Sequence, residues 1–161
     1  MTRIHETAVV DPRAEIDSDV EVGPYSIVGG YVKIGKGSRI KSHVVIEDYV
    51  IVGGLVGIHQ FTRVGNGAIL GAGSMVSKDV PPYCNATGDR ARLRGLNLEG
   101  LKRRRMEKET VEALRKAYRI LFRSKLKTRE AIAKVRQELP GCPEAERLVT
   151  FIENSQRGVC R

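Results

Sequence analysis

The first half of the chain carries an aliphatic residue at every sixth position. The spacing runs over thirteen positions without an exception. A helix repeats every 3.6 residues, which does not divide six, so these side chains would spiral around a helix rather than share one face. A hexapeptide repeat is typical of a parallel β-helix, in which three short strands form one coil and the aliphatic residues point inward. The positions are Ile4, Val10, Ile16, Val22, Val28, Ile34, Ile40, Ile46, Val52, Ile58, Val64, Leu70 and Val76.

Two other positions of the repeat fit this fold. If the aliphatic residue is position one, position two is often glycine, as at Gly23, Gly53 and Gly65. We expect tight corners there, with backbone angles that glycine adopts at little cost. Position five is small or β-branched, as at Ala8 and Val44, which suits a narrow prism. The repeat therefore predicts a β-solenoid of four to five coils over residues 1–80.

The pattern changes after Val80-Pro81-Pro82-Tyr83, because consecutive prolines cannot donate hydrogen bonds to a sheet. We interpret residues 81–98 as a linker and predict an α-helical C-terminal segment over residues 99–161. Thr128 is expected to be the N-cap of one helix and Pro143 the first residue of the next. The apolar face of the first long helix consists of Val111, Leu114, Tyr118, Leu121 and Phe122.

Charge adds a clue about partners. The net charge is +9, and fifteen of the 28 Lys and Arg residues lie between Arg90 and Arg129. A solvated basic helix is one interpretation, and attraction to a phosphate-bearing substrate, an acidic protein or a membrane surface is the other. No helix-turn-helix, zinc-ligand spacing or aromatic RNA-binding stretch is present, so we expect no nucleic-acid partner.

The cysteines indicate a reducing compartment. Cys84, Cys142 and Cys160 show no CxxC spacing, their number is odd, and no signal peptide precedes them. We therefore expect reduced thiols and a cytoplasmic protein. No apolar stretch is long enough to be transmembrane.

Five segments occur along the chain in an order that is specific to one family of enzymes. They resemble the acyl-carrier-protein-dependent UDP-N-acetylglucosamine O-acyltransferases of lipid A biosynthesis. The resemblance implies a left-handed β-helix, a homotrimer with its site between subunits, acyl carrier protein and UDP-N-acetylglucosamine as partners, and no cofactor. The segments are Gly23-Pro24-Tyr25-Ser26-Ile27-Val28-Gly29, Lys41-Ser42-His43-Val44-Val45, Ile58-His59-Gln60-Phe61, Asp79-Val80-Pro81-Pro82-Tyr83 and Asn97-Leu98-Glu99-Gly100-Leu101-Lys102-Arg103-Arg104.

The chain is shorter than the members of this family, and the missing part falls between Asp48 and Val52. It would include the segment with the principal catalytic histidine, whereas the six-residue register continues unbroken through Ile46, Val52 and Ile58. The resemblance thus implies an acyltransferase that is impaired or inactive. The alternative is a catalytically dead trimeric scaffold or binding module. A different hexapeptide enzyme, such as a sugar acetyltransferase, finds no support in the C-terminal segment.

The resemblance also assigns residues near the thioester. His59 corresponds to an auxiliary histidine of the cleft, and Gln60 to an amide that contacts substrate. Ala72 corresponds to a position that limits the length of the acyl groove. His43 is offset by two residues from the corner position of His59, and His5 is far from both, so a three-histidine zinc site is not expected and no metal is predicted.

A second group corresponds to residues that reach the nucleotide sugar. It consists of Asn97, Glu99, Arg103 and Arg104. Arginine suits a diphosphate because its planar fork donates to two oxygens at once. Upstream, Arg90, Arg92 and Arg94 add to the positive field, so an anion is expected to collect in this region.

Overall fold

Each hexapeptide of the first half forms one short strand and one corner. The structure, a computed structural model, describes residues 1–161. Thirteen two-residue strands wind around a triangular prism, and one coil contributes a strand to each of three walls. The strands are β1 (Arg3–Ile4), β2 (Val9–Val10), β3 (Glu15–Ile16), β4 (Glu21–Val22), β5 (Ile27–Val28), β6 (Lys33–Ile34), β7 (Arg39–Ile40), β8 (Val45–Ile46), β9 (Ile51–Val52), β10 (Gly57–Ile58), β11 (Arg63–Val64), β12 (Ile69–Leu70) and β13 (Met75–Val76).

The three walls are parallel sheets. Sheet A has the order β1-β4-β7-β10-β13, sheet B has β2-β5-β8-β11, and sheet C begins with β3-β6-β9-β12. Val22 pairs with Ile40, and Ile40 pairs with Ile58, so the predicted stacking of the aliphatic positions is confirmed. Eighteen residues, or three hexapeptides, separate the partners in each pair.

The aliphatic column forms the core of the prism. Val22 is 3% exposed, whereas Ile4 in the first coil is 47% exposed because no coil lies below it. Full burial of such a side chain stabilises the fold by about 1.5–3 kcal/mol. The regular six-residue spacing therefore holds the coils together without any large aromatic residue in the prism.

The corner glycines serve a different purpose from the one expected. In most corners the left-handed residue is at position four, and it is often aromatic, as at Tyr25 (φ 56°) and Phe61 (φ 62°). Glycine is needed at position two because a side chain there would collide with the backbone of the next coil. A Cβ at Gly53 would lie 2.6 Å from the Ala72 backbone nitrogen, and one at Gly65 would lie 2.4 Å from that of Pro82. The coil above leaves no room for a side chain.

The segment interpreted as a linker is instead a strand pair. It contains β14 (Cys84–Thr87), which continues sheet C alongside β12, and β15 (Arg92–Leu96), which returns antiparallel with a bulge between Asn85 and Ala86. The prolines before it do end the hexapeptide coils. Sheet C nevertheless continues past them, because β14 still offers its backbone to β12.

Four helices follow in the segment predicted to be α-helical. The apolar face predicted for the first long helix is largely buried, with Leu114, Tyr118 and Leu121 inside. Thr128 is the first residue of its helix rather than the N-cap, a position that Lys127 holds. Pro143 begins the last helix as predicted. The helices are α1 (Leu98–Arg103), α2 (Lys108–Tyr118) with a π-helical turn at Arg119–Arg123, α3 (Thr128–Glu138) and α4 (Pro143–Glu153). None of them is long and apolar enough to cross a membrane.

Candidate functional site

The corner that follows β10 presents two polar side chains. His59 and Gln60 occupy positions two and three of their hexapeptide, and both are exposed. The His59 backbone nitrogen donates to the Val76 carbonyl of the next coil at 2.9 Å, and Phe61 turns the chain with a φ of 62°. The corner is therefore fixed while its two side chains remain free to meet a ligand.

These side chains border a groove along the outer face of sheet A, which we call the sheet A groove. It encloses about 770 Å³, and its apolar part includes Leu55, Ile58 and Met75. Gly57 contributes to the floor, and the Met75 sulfur lies only 2.7 Å from the position that a Cβ of Gly57 would occupy. A thioether thus lies across the one strand that has no side chain on this face.

Cationic side chains surround this apolar strip. Arg39 is held by Glu21 at 3.1 Å and by the Asp19 carbonyl at 2.8 Å. Lys41 and Arg90 also line the groove and have no ion-pair partner, and Asp89 is its one acid. An apolar strip with a basic rim suits an anion that carries an aliphatic chain.

One hydrogen bond bears on the tautomer of the neutral His59 ring. Its Nδ1 atom lies 3.3 Å from the Gln60 carbonyl oxygen, which can only accept a hydrogen bond. In the neutral ring Nδ1 therefore carries the proton, and Nε2 has the lone pair that a general base needs. No carboxylate hydrogen-bonds to His59, so the ring lacks the acidic partner that strengthens many catalytic histidines.

The other two histidines are engaged elsewhere. His43 lies between Tyr25 and Phe61, with ring centroids 5.0 and 4.9 Å away. The Nδ1 atom of His5 is 2.9 Å from the Thr7 hydroxyl. No three His, Cys, Asp or Glu side chains form a group that could hold a metal ion.

Neither buried cysteine is suited to be a nucleophile. Burial raises the pKa of the Cys160 thiol to about 11 and raises that of the Cys84 thiol further. Both thiols are therefore protonated at neutral pH, whereas the reactive form is the thiolate. Covalent catalysis through the thiols of these two residues is therefore unfavourable.

Two residues expected to reach the nucleotide sugar are occupied within the fold. Asn97 is buried, its side-chain nitrogen donates to the Gly67 carbonyl at 3.0 Å, and its oxygen accepts from the Gly100 nitrogen at 3.0 Å as the N-cap of α1. Arg104 donates to the Asn66 oxygen at 2.9 Å and lies over the Tyr49 ring at 4.4 Å. Both side chains therefore support the junction between the solenoid and α1.

The remaining predicted residues are exposed and lie apart from the groove lining. Glu99 and Arg103 on α1 make no side-chain hydrogen bond or ion pair. Ala72 is exposed at the corner between sheets C and A, one residue before Gly73. Within one chain the structure thus brings together His59 and Gln60 and leaves the other predicted residues outside the groove.

A stacked column on another corner is absent from the sequence predictions. Arg13 lies 4.7 Å over Tyr31, the rings of Tyr31 and Tyr49 are 5.0 Å apart, and Arg104 covers Tyr49. Gly67 lies next in this column and leaves the space that the Arg104 guanidinium fills. The signal in the sequence is the eighteen-residue spacing of Arg13, Tyr31 and Tyr49.

Known proteins share both halves of this architecture. A family profile described as bacterial transferase hexapeptide (six repeats) matches residues 13–48. A second profile, described as UDP N-acetylglucosamine O-acyltransferase, domain 2, matches residues 79–160. The repeat places the chain in the class of hexapeptide transferases, and the second match covers the strand pair and the helices.

Individual relatives agree with these profiles. The acyl-[acyl-carrier-protein]–UDP-N-acetylglucosamine O-acyltransferase of Thermodesulfovibrio yellowstonii is 34% identical in an alignment that covers 100% of both chains. The enzyme of the same name from Anaeromyxobacter dehalogenans strain 2CP-1 is 41% identical over 161 residues, which are 100% of this chain and 60% of the relative. The chain belongs to the UDP-N-acetylglucosamine O-acyltransferase family.

Solved structures support the same fold. LpxA from Acinetobacter baumannii has a TM-score of 0.68 and 28% identity, over 98% of this chain and 99% of that one. LpxA from Bacteroides fragilis has a TM-score of 0.80 over 99% of this chain and 86% of that one, at 24% identity. The solenoid is accordingly a left-handed parallel β-helix.

This chain is a shortened member of the family. The alignment with the Thermodesulfovibrio relative extends over 258 positions, whereas this chain has 161 residues. The alignment therefore contains gaps in this chain. The chain spans about 60% of the length of the Anaeromyxobacter relative.

Proposed function

We propose that this chain is an acyl-carrier-protein-dependent UDP-N-acetylglucosamine 3-O-acyltransferase of lipid A biosynthesis whose turnover is strongly reduced. The observation that carries the proposal is the sheet A groove, where His59 and Gln60 border an apolar strip with a basic rim. The groove has the chemical character that an acyl thioester and a nucleotide sugar require. Its one histidine lacks a carboxylate partner.

The reaction would be a direct acyl transfer. A base takes the proton of the sugar 3-hydroxyl, and the oxygen attacks the thioester carbonyl. A backbone N–H stabilises the oxyanion. The carbon–sulfur bond then breaks, and the proton goes to the departing thiolate of the carrier. In this chain Nε2 of His59 would be the base and Gln60 would contact the sugar.

Reduced turnover follows from the proposed loss of the coils between Asp48 and Val52. General-base catalysis contributes about 10²–10⁴-fold, and the principal histidine of the family would be among the lost residues. Support for an internal loss comes from the gapped alignment with the Thermodesulfovibrio relative, which reaches both ends of this chain. His59 would then substitute for the missing base without the partner that would orient it.

The residues that approach the nucleotide sugar would belong to a neighbouring subunit. We infer a homotrimer in which Glu99 and Arg103 of one α1 reach toward the groove of the next copy. Their exposure and their freedom from other contacts support this role. Asn97 and Arg104 would position α1 rather than contact ligand, because their polar atoms are already bonded within the chain.

Acyl carrier protein would deliver the thioester to the basic rim of the groove. Lys41 and Arg90 are cationic side chains without an ion-pair partner there, and the chain as a whole carries +9. Acidic partners are attracted by such a surface over several ångströms. We place this reaction in the cytoplasm.

A thioester-release assay tests this function. Wild type, His59→Ala and His43→Ala would each be given acyl carrier protein thioester and UDP-N-acetylglucosamine. We expect slow release that requires the sugar nucleotide, loss of that release in His59→Ala, and no change in His43→Ala, whose ring is stacked outside the groove.

Two outcomes would contradict the proposal. Release that survives His59→Ala would remove His59 as the base. Release as fast as that of full-length relatives would remove the claim of reduced turnover. If wild type binds both substrates without any release, the alternative function of a catalytically dead trimeric scaffold or binding module is favoured. The observation behind this alternative is that no carboxylate hydrogen-bonds to His59.

A further inference from the structure

A second concave site lies beside the groove, where the C-terminal segment returns to the solenoid. We call it the C-terminal cavity. It encloses about 750 Å³ between the corner after β13, the start of β15, the first residue of α3 and residues 158–161. This volume is within the range of small-molecule sites. Only Ser77 and Arg90 are shared with the sheet A groove.

The charged side chains that line this cavity are all cationic. Lys78, Arg90, Arg92 and Arg161 line it, and no Asp or Glu side chain does. None of the four cations is in an ion pair. Like charges gathered in one depression repel one another, so a multivalent anion is the ligand that relieves the repulsion.

The geometry favours phosphate groups and an attached organic part. The Arg161 guanidinium donates to the Thr128 hydroxyl at 2.7 Å, so one arm of the cavity is held in place. Arginine forks donate to two phosphate oxygens at once. The base is apolar, with Ile152 and Val159 each 8% exposed, and can contact the ester portion of a ligand.

We propose that the C-terminal cavity binds a small molecule with a diphosphate group. The site is separate from the nucleotide-sugar residues of the proposed function, because Asn97, Glu99, Arg103 and Arg104 do not line it. Binding here requires no acyl transfer. A negative transferase assay would therefore not contradict this proposal. Likewise, a failure to bind diphosphates here would not contradict the proposed transferase function.

Calorimetric titration of the full chain tests the site. The probes are inorganic pyrophosphate, ADP and adenosine, each at 50 and 150 mM salt. We expect saturable binding of pyrophosphate and ADP that weakens as salt rises, and no binding of adenosine. Arg92→Gln and Lys78→Gln should each weaken both anions about tenfold, the effect of losing one charge-assisted contact. Both residues are exposed and make no side-chain bond, so neither substitution should disturb folding.

Arg119→Gln is the matched control, because Arg119 is also an exposed cation without an ion pair but lies on the π-helical turn outside the cavity. Its affinity for both anions should stay within twofold of wild type. Equal weakening by Arg119→Gln and Arg92→Gln would mean that net charge alone attracts the anions and would overturn the proposal. Binding of adenosine as tight as that of ADP, or pyrophosphate binding without ADP binding, would also overturn it. The absence of saturable binding of pyrophosphate and ADP would overturn the proposal as well. If acyl carrier protein then binds to this surface, the surface docks a protein rather than a small molecule.

Discussion

Asp79 links the two ends of the fold at a single buried carboxylate. It is 1% exposed, accepts from the Arg63 backbone nitrogen at 2.8 Å and accepts from the Ser155 hydroxyl at 2.6 Å. Its backbone pairs with the returning C-terminus, where its nitrogen donates to Gly158 and its carbonyl accepts from Cys160. Buried charges are tolerated only when hydrogen-bonded in this way. Asp79 therefore joins the C-terminal segment to the last coil.

Removing this carboxylate should destabilise the whole chain. We expect Asp79→Ala to lower the free energy of unfolding by about 3 kcal/mol, because two part-buried donors, the Arg63 nitrogen and the Ser155 hydroxyl, would lose their partner. Denaturant titration measures the loss. Asp89→Ala is the control, since Asp89 is exposed and makes no side-chain hydrogen bond, and it should change stability by less than about 0.5 kcal/mol. Equal stability of the two variants would show that Asp79 has no special role.

The helical elements depend on one another through Arg136. This residue of α3 donates to Glu146 at 2.7 Å and to Glu153 at 2.7 Å, both on α4. The guanidinium lowers the pKa of both carboxyl groups below the ordinary 4.5. All three side chains are roughly half exposed, so solvent weakens the ion pairs and each makes a modest contribution.

A pH dependence follows from these lowered pKa values. A carboxyl group whose pKa is lower when folded binds its proton first in the unfolded chain, so its stabilisation is present above pH 4.5 and is lost as the pH falls further. We expect Arg136→Gln to lower the midpoint of thermal unfolding at pH 7 and the difference to shrink below pH 4.5. Arg129→Gln, an exposed cation on the same helix, should show no such dependence. A deficit of Arg136→Gln that stays constant down to pH 3 would contradict the ion-pair explanation.

The elements differ in how far the sequence predicts them. The coils are predictable because one residue type recurs at one spacing. That spacing alone predicts that Val22, Ile40 and Ile58 stack on one another. The strand pair around β14 lies outside that spacing, and its pairing depends on the edge of sheet C that only the folded solenoid presents. Proximity of His59 and Gln60 was predictable because they are consecutive in the sequence. The anchoring of Asn97 to the solenoid was not, since its side-chain nitrogen donates to the carbonyl of Gly67, thirty residues earlier.

At the scale of the whole molecule, the first coils of one wall expose an apolar surface. Val9 is 63% exposed and Ile27 is 47% exposed on the outer face of sheet B, and Val45 continues the same line. We call these three residues the sheet B stripe. Exposed aromatic residues flank it, with Phe61 on the corner that also presents His59. Contiguous apolar surface of this kind marks a contact with another protein. A copy docked on the stripe would lie beside the sheet A groove.

The stripe gives the proposed homotrimer a specific interface. We expect wild type to be a trimer in light scattering and Ile27→Lys to dissociate. Burying an isoleucine in each interface contributes about 3 kcal/mol, and loss of that amount raises a dissociation constant about a hundredfold. A lysine in the same place adds the cost of removing its charge from water into an apolar interface. Leu126→Lys is the matched control, because Leu126 is 37% exposed in the loop before α3, away from the stripe, and should leave the trimer intact. A wild-type monomer at every concentration would refute the trimer, and a trimer that persists in Ile27→Lys would move the interface to another wall.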